Sequence, residues 1–463
     1  MEVKIIFGPP GTGKTTRLLD ILEEELKTHH PYEIAYVSFT REGAYQGRDR
    51  ALKKFDYNET DFPYFRTLHS IAFRELGMKR TQIINKKDYK LFSQKMGMSF
   101  TGYYTDEFNH NDDLYLFFNI LHRNNPKSAN NYLYLLDINK LRFVYKNYQI
   151  FKDYYKIYDF TDLIELFNKQ NKGLPIKVAI VDEAQDLTTL QWKMILIAFK
   201  NVDRLYIAGD DDQAIYEWSG ADVNYFINLA GDIEILAKSY RLPRSVLDFS
   251  KTISSLIQNR VKKDFEGTGK EGNVSFINNL EELQIDSKET WLFLSRNQFF
   301  LKEIREFVMH QGLIFESRGE RSVTYRKISA IKRYEKAHKR RNISQQDRII
   351  LRPDLKEHFD IQDPWYNSFK WSPEELMYYR DIIANKTNLS KCNIKIDTIH
   401  AVKGGEADNV VVLLDITRQV SLNLNKNPDS EHRVFYVGCT RAKKNLYVKY
   451  GDSRYQYSIG ETG

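Results

Sequence analysis

Val3-Lys4-Ile5-Ile6-Phe7-Gly8-Pro9-Pro10-Gly11-Thr12-Gly13-Lys14-Thr15-Thr16 joins a short apolar run, a Gly/Pro-rich loop and the start of a helical pattern. The apolar run suits a buried strand. The loop fits G-x-x-x-x-G-K-[ST], and Thr16 to Glu23 carries apolar residues at helical spacing. In a strand–loop–helix of this kind, successive backbone N–H groups at the helix start bind anionic oxygens. Residues Gly8 to Thr16 are therefore expected to cradle nucleotide phosphates. Lys14 can reach the outer phosphates, and the Thr15 hydroxyl can ligate Mg²⁺.

The same plan recurs downstream. Ile34-Ala35-Tyr36-Val37-Ser38-Phe39 reads as a strand that turns into a helix after Thr40, and Tyr64 to Ala72 repeats the pattern. Ile176-Lys177-Val178-Ala179-Ile180-Val181-Asp182-Glu183 is apolar, β-branched and ends in two acids, and Arg204 to Ala208 runs into Gly209-Asp210-Asp211-Asp212-Gln213. Repeated strand–loop–helix units predict a parallel sheet with covering helices, with function at the carboxyl ends of its strands. The expected class is α/β with two such domains. The first occupies 1–76 and 159–232 and is interrupted by a Tyr/Phe-rich helical insertion at 77–158. The second occupies 233–317 and 392–463, holds Trp291 to Arg296 and Asn409 to Leu414 as strands, and is interrupted by a small basic segment at 318–391.

In that basic segment Arg326, Lys327, Lys332, Arg333, Lys336, Lys339, Arg340 and Arg341 face Glu335 alone within sixteen positions. A solvated helix face and a contact to duplex phosphates explain it equally well. A chain of 463 residues exceeds one core. Its net charge of +7 is compatible with a phosphate-backbone partner. The 30 Tyr and 28 Phe exceed ordinary packing needs and suit base stacking, although most of these rings are expected in the core. Two cysteines, Cys392 and Cys439, exclude a disulfide framework and have no metal-ligand spacing. No apolar run approaches membrane-spanning length, and the first strand leaves no room for a signal peptide. A soluble intracellular protein is expected.

Asp182-Glu183 at a strand end is the natural partner of the phosphate loop. The Asp can hold Mg²⁺ beside Thr15, and the Glu can polarise a water for in-line attack on a γ-phosphate. Acids at a strand end otherwise cap helices; beside a phosphate loop, ATP hydrolysis is the stronger reading.

Val181-Asp182-Glu183-Ala184-Gln185-Asp186 and Gly209-Asp210-Asp211-Asp212-Gln213-Ala214-Ile215-Tyr216-Glu217-Trp218-Ser219-Gly220-Ala221 resemble two motifs of the UvrD/Rep/PcrA-type superfamily 1 DNA helicases. Val37 to Thr40, Thr67 to Ser70, Asp159 to Leu163, Leu236 to Arg241, Asp397 to Glu406 and Tyr436 to Ala442 resemble the rest, in the family's order. The resemblance implies two RecA-like motor domains sharing an ATP cleft. Lys14 and Thr15 would hold phosphates and Mg²⁺, Asp182 would share the metal and Glu183 would activate water. Gln213 would sense the γ-phosphate, and Arg241 and Arg441, supplied by the opposite domain, would act as arginine fingers. Tyr240 would stack on adenine and Glu406 would contact the nucleotide. Phe39, His69 and Trp218 would meet bases, and Thr67, Thr398 and His400 would lie near DNA phosphates.

Departures are equally specific. The seven residues before Gly8 lack the family's glutamine-containing adenine-reading segment, which lowers the expected preference for ATP over other nucleotides. Ser219 stands where an Arg is usual, and Ala407 replaces a bulky apolar residue. About twenty residues follow the last motif without an acidic cluster, so no fused nuclease is expected. The resemblance implies a cytoplasmic (bacterial or phage-infected host) ATP-dependent helicase, monomeric in isolation. It would move 3′→5′ on single-stranded DNA, act at single-strand/duplex junctions and meet replication or repair proteins. A translocase that displaces proteins without unwinding, and a non-hydrolysing nucleic-acid clamp, are the alternatives.

Overall fold

The computed structural model describes residues 1–39, 41–102, 104, 112–130, 133, 136–338, 344–358 and 363–459. The chain forms two compact units, Met1–Arg241 with Ser254–Thr268, and Leu242–Ile253 with Gly269–Gly463.

The first unit is built on β1 (Glu2–Phe7), β2 (Ile34–Ser38), β3 (Phe65–Arg66), β4 (Val178–Asp182), β5 (Arg204–Gly209) and β6 (Asp232–Ile235). They form one parallel sheet in the order β3-β2-β4-β5-β1-β6. Every residue of β2 and β4 is buried. Strands covered on both faces read as continuous apolar runs rather than alternating ones. On one face Ile6, Tyr36 and Ile180 pack against Leu18 and Leu22 of the helix Lys14–Glu25. On the other, Val37 and Val181 pack against the helices Phe160–Gln170 and Thr189–Ala198 through Leu163, Ile164 and Ile195.

Residues 77–158 are helical among those described, with helices Lys86–Met96, Asp113–Asn124, Pro126–Asn130 and Ile138–Tyr155. Their core is aromatic: the Phe92 ring lies 4.9 Å from Phe100, 5.1 Å from Phe151 and 5.5 Å from Tyr148. A buried cation pins this insertion to the sheet domain. Lys152 Nζ donates to Asp159 Oδ2 and Asp162 Oδ2, each at 2.7 Å, and Arg123 reaches Asp159 at 3.1 Å and Glu165 at 2.8 Å. Asp159 also caps the helix Phe160–Gln170 by accepting from the Asp162 N–H at 2.9 Å. Burial pushes the Asp159 carboxyl up, but Lys152 and Arg123 outweigh it and hold it below the usual range.

The second unit carries β7 (Asn273–Ile277), β8 (Trp291–Ser295), β9 (Phe315–Ser317), β10 (Glu320–Arg321), β11 (Ile394–Thr398), β12 (Ala407–Leu413) and β13 (Ala442–Lys449). Its sheet runs β10-β9-β11-β8-β12-β13-β7, parallel except for the β9–β10 pair. Phe293, Ile396, Val411 and Ile304 share its core. The 318–391 segment has a core of its own around Ile331, Tyr334, Trp365, Phe369 and Tyr378. Lys327 turns inward, 2.9 Å from Asp354 and 4.8 Å from the Trp371 ring centroid. Arg326, Lys332, Arg333 and Lys336 are exposed. Lys339, Arg340 and Arg341 lie outside the described residues.

One expected boundary is corrected. Residues 233–241, expected to open the second domain, belong to the first unit because β6 pairs in parallel with β1 over Lys4–Phe7. Residues 254–268 belong to the first unit as well.

Candidate nucleotide and nucleic-acid site

The carboxyl ends of β1, β4 and β5 converge on the phosphate loop. Gly8 N–H donates to Gly209 O at 3.0 Å, tying the loop to the end of β5. The Thr12 hydroxyl donates to Pro9 O at 2.7 Å, and Lys14 Nζ folds back to Gly8 O at 2.8 Å. A Cβ on Gly8 would stand 1.9 Å from Lys14 Cγ, so only glycine lets the lysine lie there. Gly11 and Gly13 sit at φ 71° and 82°, in the left-handed region that favours glycine.

Thr15 Oγ1 lies 3.5 Å from Asp182 Oδ2, bringing together the two expected metal ligands. Asp182 is buried at the end of β4, where Oδ2 also accepts from the Tyr36 hydroxyl at 3.3 Å and Oδ1 from the Glu183 N–H at 2.8 Å. Burial and then the Glu183 charge, against Lys14, push its carboxyl up to about 7. One hydroxyl and one carboxylate suit Mg²⁺, which takes most of its remaining ligands from water and phosphates. Glu183 has φ 55°, a left-handed conformation costly for a residue with a side chain. Its carboxylate accepts from Gln185 Nε2 at 2.5 Å. Gln213, after β5, donates Nε2 to Asp210 Oδ2 at 2.6 Å.

Arg241 requires a correction. It was expected from the opposite domain, but it lies in the first unit against the phosphate loop itself. Ser239 Oγ donates to Pro10 O at 2.8 Å and Tyr240 N–H to Gly11 O at 2.8 Å. A Cβ on Gly11 would stand 2.4 Å from Arg241 Cβ. Strand β6 carries the chain there, because its pairing with β1 aims the following residues at the loop after β1. Tyr240 is 72% exposed, with a ring carbon 4.0 Å from the Cβ position of Gly13.

Beside this rim lies a cavity of about 770 Å³ lined by Phe39, Arg66, Thr67, His69, Arg80 and Phe160, among others. Phe39 also stacks on Tyr216, with centroids 5.5 Å apart. His69 meets Phe160 edge-on at 5.5 Å. Burial, weakly opposed by Asp159, pushes His69 down to about 4, so it is neutral at pH 7 and suited to a base rather than a phosphate. The Thr67 hydroxyl accepts from the Ser70 N–H at 3.3 Å and caps the helix Leu68–Glu75. Trp218 does not line this cavity; it is half-buried and stacks on Phe117 of the helical insertion at 6.0 Å. Thr40 lies outside the described residues.

The remaining expected residues sit in the second unit. Thr398 ends β11 and His400 follows it, both buried, and Thr398 Oγ1 accepts from the Ala401 N–H at 3.4 Å. Arg441 is 1% exposed. Its guanidinium donates to Val437 O at 2.8 Å, Thr440 Oγ1 at 3.3 Å and Gly405 O at 3.4 Å, which fastens the loop carrying Glu406. Glu406 is exposed, 3.4 Å from Lys443 Nζ.

Four residues of this site escaped the sequence reading. Tyr36 lies inside an apolar strand and has no polar signature. Gln185, Tyr216 and Phe160 lie inside the quoted motifs, where an amide beside Glu183 and aromatics beside Trp218 and His69 are the signal.

A glycine-rich loop after β1 with an Asp-Glu pair at the end of β4 and a glutamine after β5 defines a phosphate-loop nucleotide-binding domain. The UvrD/REP helicase N-terminal domain matches residues 2–234, and the UvrD-like helicase C-terminal domain matches residues 393–448. The chain belongs to the UvrD/REP helicase family. It is 24% identical over 278 residues to the ATP-dependent DNA helicase Rep of Buchnera aphidicola subsp. Baizongia pistaciae, covering 56% of this chain and 41% of that protein. Identity is 29% over 293 residues to the Rep of Buchnera aphidicola subsp. Acyrthosiphon pisum, covering 56% and 43%. A probable DNA helicase of Mycoplasma pneumoniae is 22% identical over 504 residues, covering 96% of this chain and 80% of its own length. The chain thus spans about four-tenths of the Rep proteins it matches. The arterivirus nonstructural protein 10 (helicase) aligns over 97% of the chain and 59% of its own, at 11% identity and a TM-score of 0.37, too distant to bear on the site. Among the described residues no helix is long and apolar enough to cross a membrane.

Proposed function

We propose that this chain is an ATP-dependent DNA helicase that moves 3′→5′ along single-stranded DNA and opens duplex ahead of it. The observation that carries the reading is the convergence of Lys14, Thr15, Asp182, Glu183, Gln213 and Arg241 on one rim. The loop amides and Lys14 hold the β- and γ-phosphates. Mg²⁺ held by Thr15 and Asp182 would neutralise charge developing on the phosphate oxygens. Glu183 takes the proton of the attacking water as its oxygen bonds to the γ-phosphorus and the bond to the β-phosphate oxygen breaks. Gln213 orients the γ-phosphate and water, while Arg241 and Arg441 stabilise the transition-state charge. Tyr240 stacks on the base and Glu406 contacts the nucleotide.

On the track side, Phe39, His69 and Trp218 stack on bases, each worth about 1–3 kcal/mol without sequence preference. Thr67, Thr398 and His400 contact the backbone. Single-strand/duplex junctions are the natural substrate, in cytoplasmic replication or repair. The polarity rests on the G-D-D-D-Q-x-I-Y-x-W form of residues 209–218 and the family membership.

The test is ATP-driven strand release from 3′-tailed and 5′-tailed duplexes. Release from the 3′-tailed substrate alone is expected. Release from 5′ tails overturns the polarity, and ATP-driven movement without release makes the chain a protein-displacing translocase. Glu183→Gln is expected to keep ATP and DNA binding and to lose DNA-stimulated turnover by about 10³-fold or more; unchanged turnover removes Glu183 as the base.

A further inference from the structure

Behind Gln213 lies a cluster of five charges, four of them with fully buried side chains. Asp210, Asp211 and Asp212 are each fully buried at the end of β5. Lys263 reaches them from residues 254–268, its side chain fully enclosed, with Nζ 3.3 Å from Asp210 Oδ1, 3.0 Å from Asp212 Oδ2 and bonded to Asp211. Arg260 donates Nε to Asp212 Oδ1 at 2.8 Å, and the Val261 N–H donates to Asp211 Oδ2 at 2.8 Å. Burial pushes Lys263 down, but the three carboxylates outweigh it and hold its ammonium above the usual range. Three carboxylates buried this completely stay charged only if cations sit among them.

The cluster touches the site through Asp210, whose N–H donates to Gln185 Oε1 at 3.0 Å. Asp210 accepts from Gln213 Nε2, and a carboxylate can only accept, so the nitrogen end of the amide is fixed inward. The segment carrying Lys263 also holds the other side of the rim. Glu266 N–H donates to Ala237 O at 2.8 Å and Glu266 O accepts from the Ser239 N–H at 2.7 Å, bracing the residues that lead to Arg241. The Phe7 ring, directly before the phosphate loop, lies 5.9 Å from Lys263 Nζ.

We propose that Lys263 is a positioning residue for nucleotide hydrolysis, holding Asp210 and through it the Gln213 amide, within a strap (residues 259–266) that sets Gln213 and Arg241 in one frame. The inference rests on the role given to Gln213 above. It also assigns Asp211 and Asp212 to the strap rather than to metal or nucleotide.

Lys263→Met alone leaves three buried carboxylates with one cation and can cost the fold. The test therefore pairs Lys263→Met with Asp211→Asn, removing one charge of each sign. The double variant is expected to melt cooperatively and to lose about 100-fold in kcat for DNA-stimulated ATP hydrolysis, with KM for ATP changed by less than about twofold. Combined with Gln213→Ala, which alone has the same effect, it is expected to add no further loss, because residues acting as one unit are not additive. Losses that multiply, or normal kcat in the double variant, overturn the positioning role. A charge-balanced variant that still fails to fold makes Lys263 purely structural and also overturns it. A wild-type chain without ATPase activity overturns the hydrolysis reading and this one with it, whereas an active wild type with independent losses overturns only this one.

Discussion

Arg241 and Arg441 carry the same expectation from sequence and sit in opposite surroundings. Arg241 is half-buried and lies against Gly11, its position set by the Ser239 hydroxyl and the Tyr240 N–H, which donate to carbonyls of the phosphate loop. Arg441 is enclosed in the second unit, where its guanidinium ties two backbone carbonyls and a hydroxyl together. One arginine is held against the phosphate loop by the two residues before it; the other holds the backbone around it. A motif reports that an arginine is present, but only its partners tell whether it also serves as a strut.

The largest expected effect tests that contrast directly. Arg241→Ala is expected to lower kcat for ATP hydrolysis by about 10³-fold, the low end for an arginine that stabilises a transferring phosphoryl group, with an unchanged melting temperature. Arg441→Ala is expected to lower the melting temperature as well, since each buried carbonyl left without its donor costs about 1–3 kcal/mol. Equal melting temperatures for the two variants would break the comparison.

Lys152 is the first unit's own strut, and it sharpens the contrast. Lys152→Met leaves Asp159 and Asp162 with Arg123 as their cation, and urea unfolding is expected to show a loss of about 3–5 kcal/mol. The pH dependence has a definite sign. The folded Asp159 carboxyl is held below its unfolded value, so its contribution is present above the unfolded pKa of about 3.9 and is lost as pH falls through the folded one. In Lys152→Met the acid-unfolding midpoint therefore moves up; an unmoved midpoint would mean that Lys152 does not set this carboxyl.

The smallest effect belongs to Tyr240, the exposed neighbour of Arg241. Tyr240→Ala is expected to raise KM for ATP by about 2- to 10-fold, from about 1 kcal/mol of lost stacking, with kcat unchanged. A fall in kcat instead would mean that Tyr240 helps to position Arg241.

The phosphate loop, the buried strands β2 and β4 and the Asp182-Glu183 pair are legible in sequence because each is a local pattern. The left-handed turns at Gly11 and Gly13, continuous apolar runs and acids at a strand end all follow from a few adjacent residues. That Thr15 meets Asp182 was also inferable, since the two residue types have one shared use. What local pattern could not supply is pairing between distant stretches. Asp232–Ile235 is a short, largely exposed strand with little apolar signal, and its partner β1 lies more than two hundred residues away. That pairing placed Arg241 beside the phosphate loop. Lys263 is one lysine in a basic run, and only the return of residues 254–268 to the first unit brings it among three aspartates. Sequence alone determined which chemical groups are present and which turns carry them. The tertiary structure decided which groups share a rim and which cations hold it, because strand pairing and buried charge depend on neighbours remote along the chain.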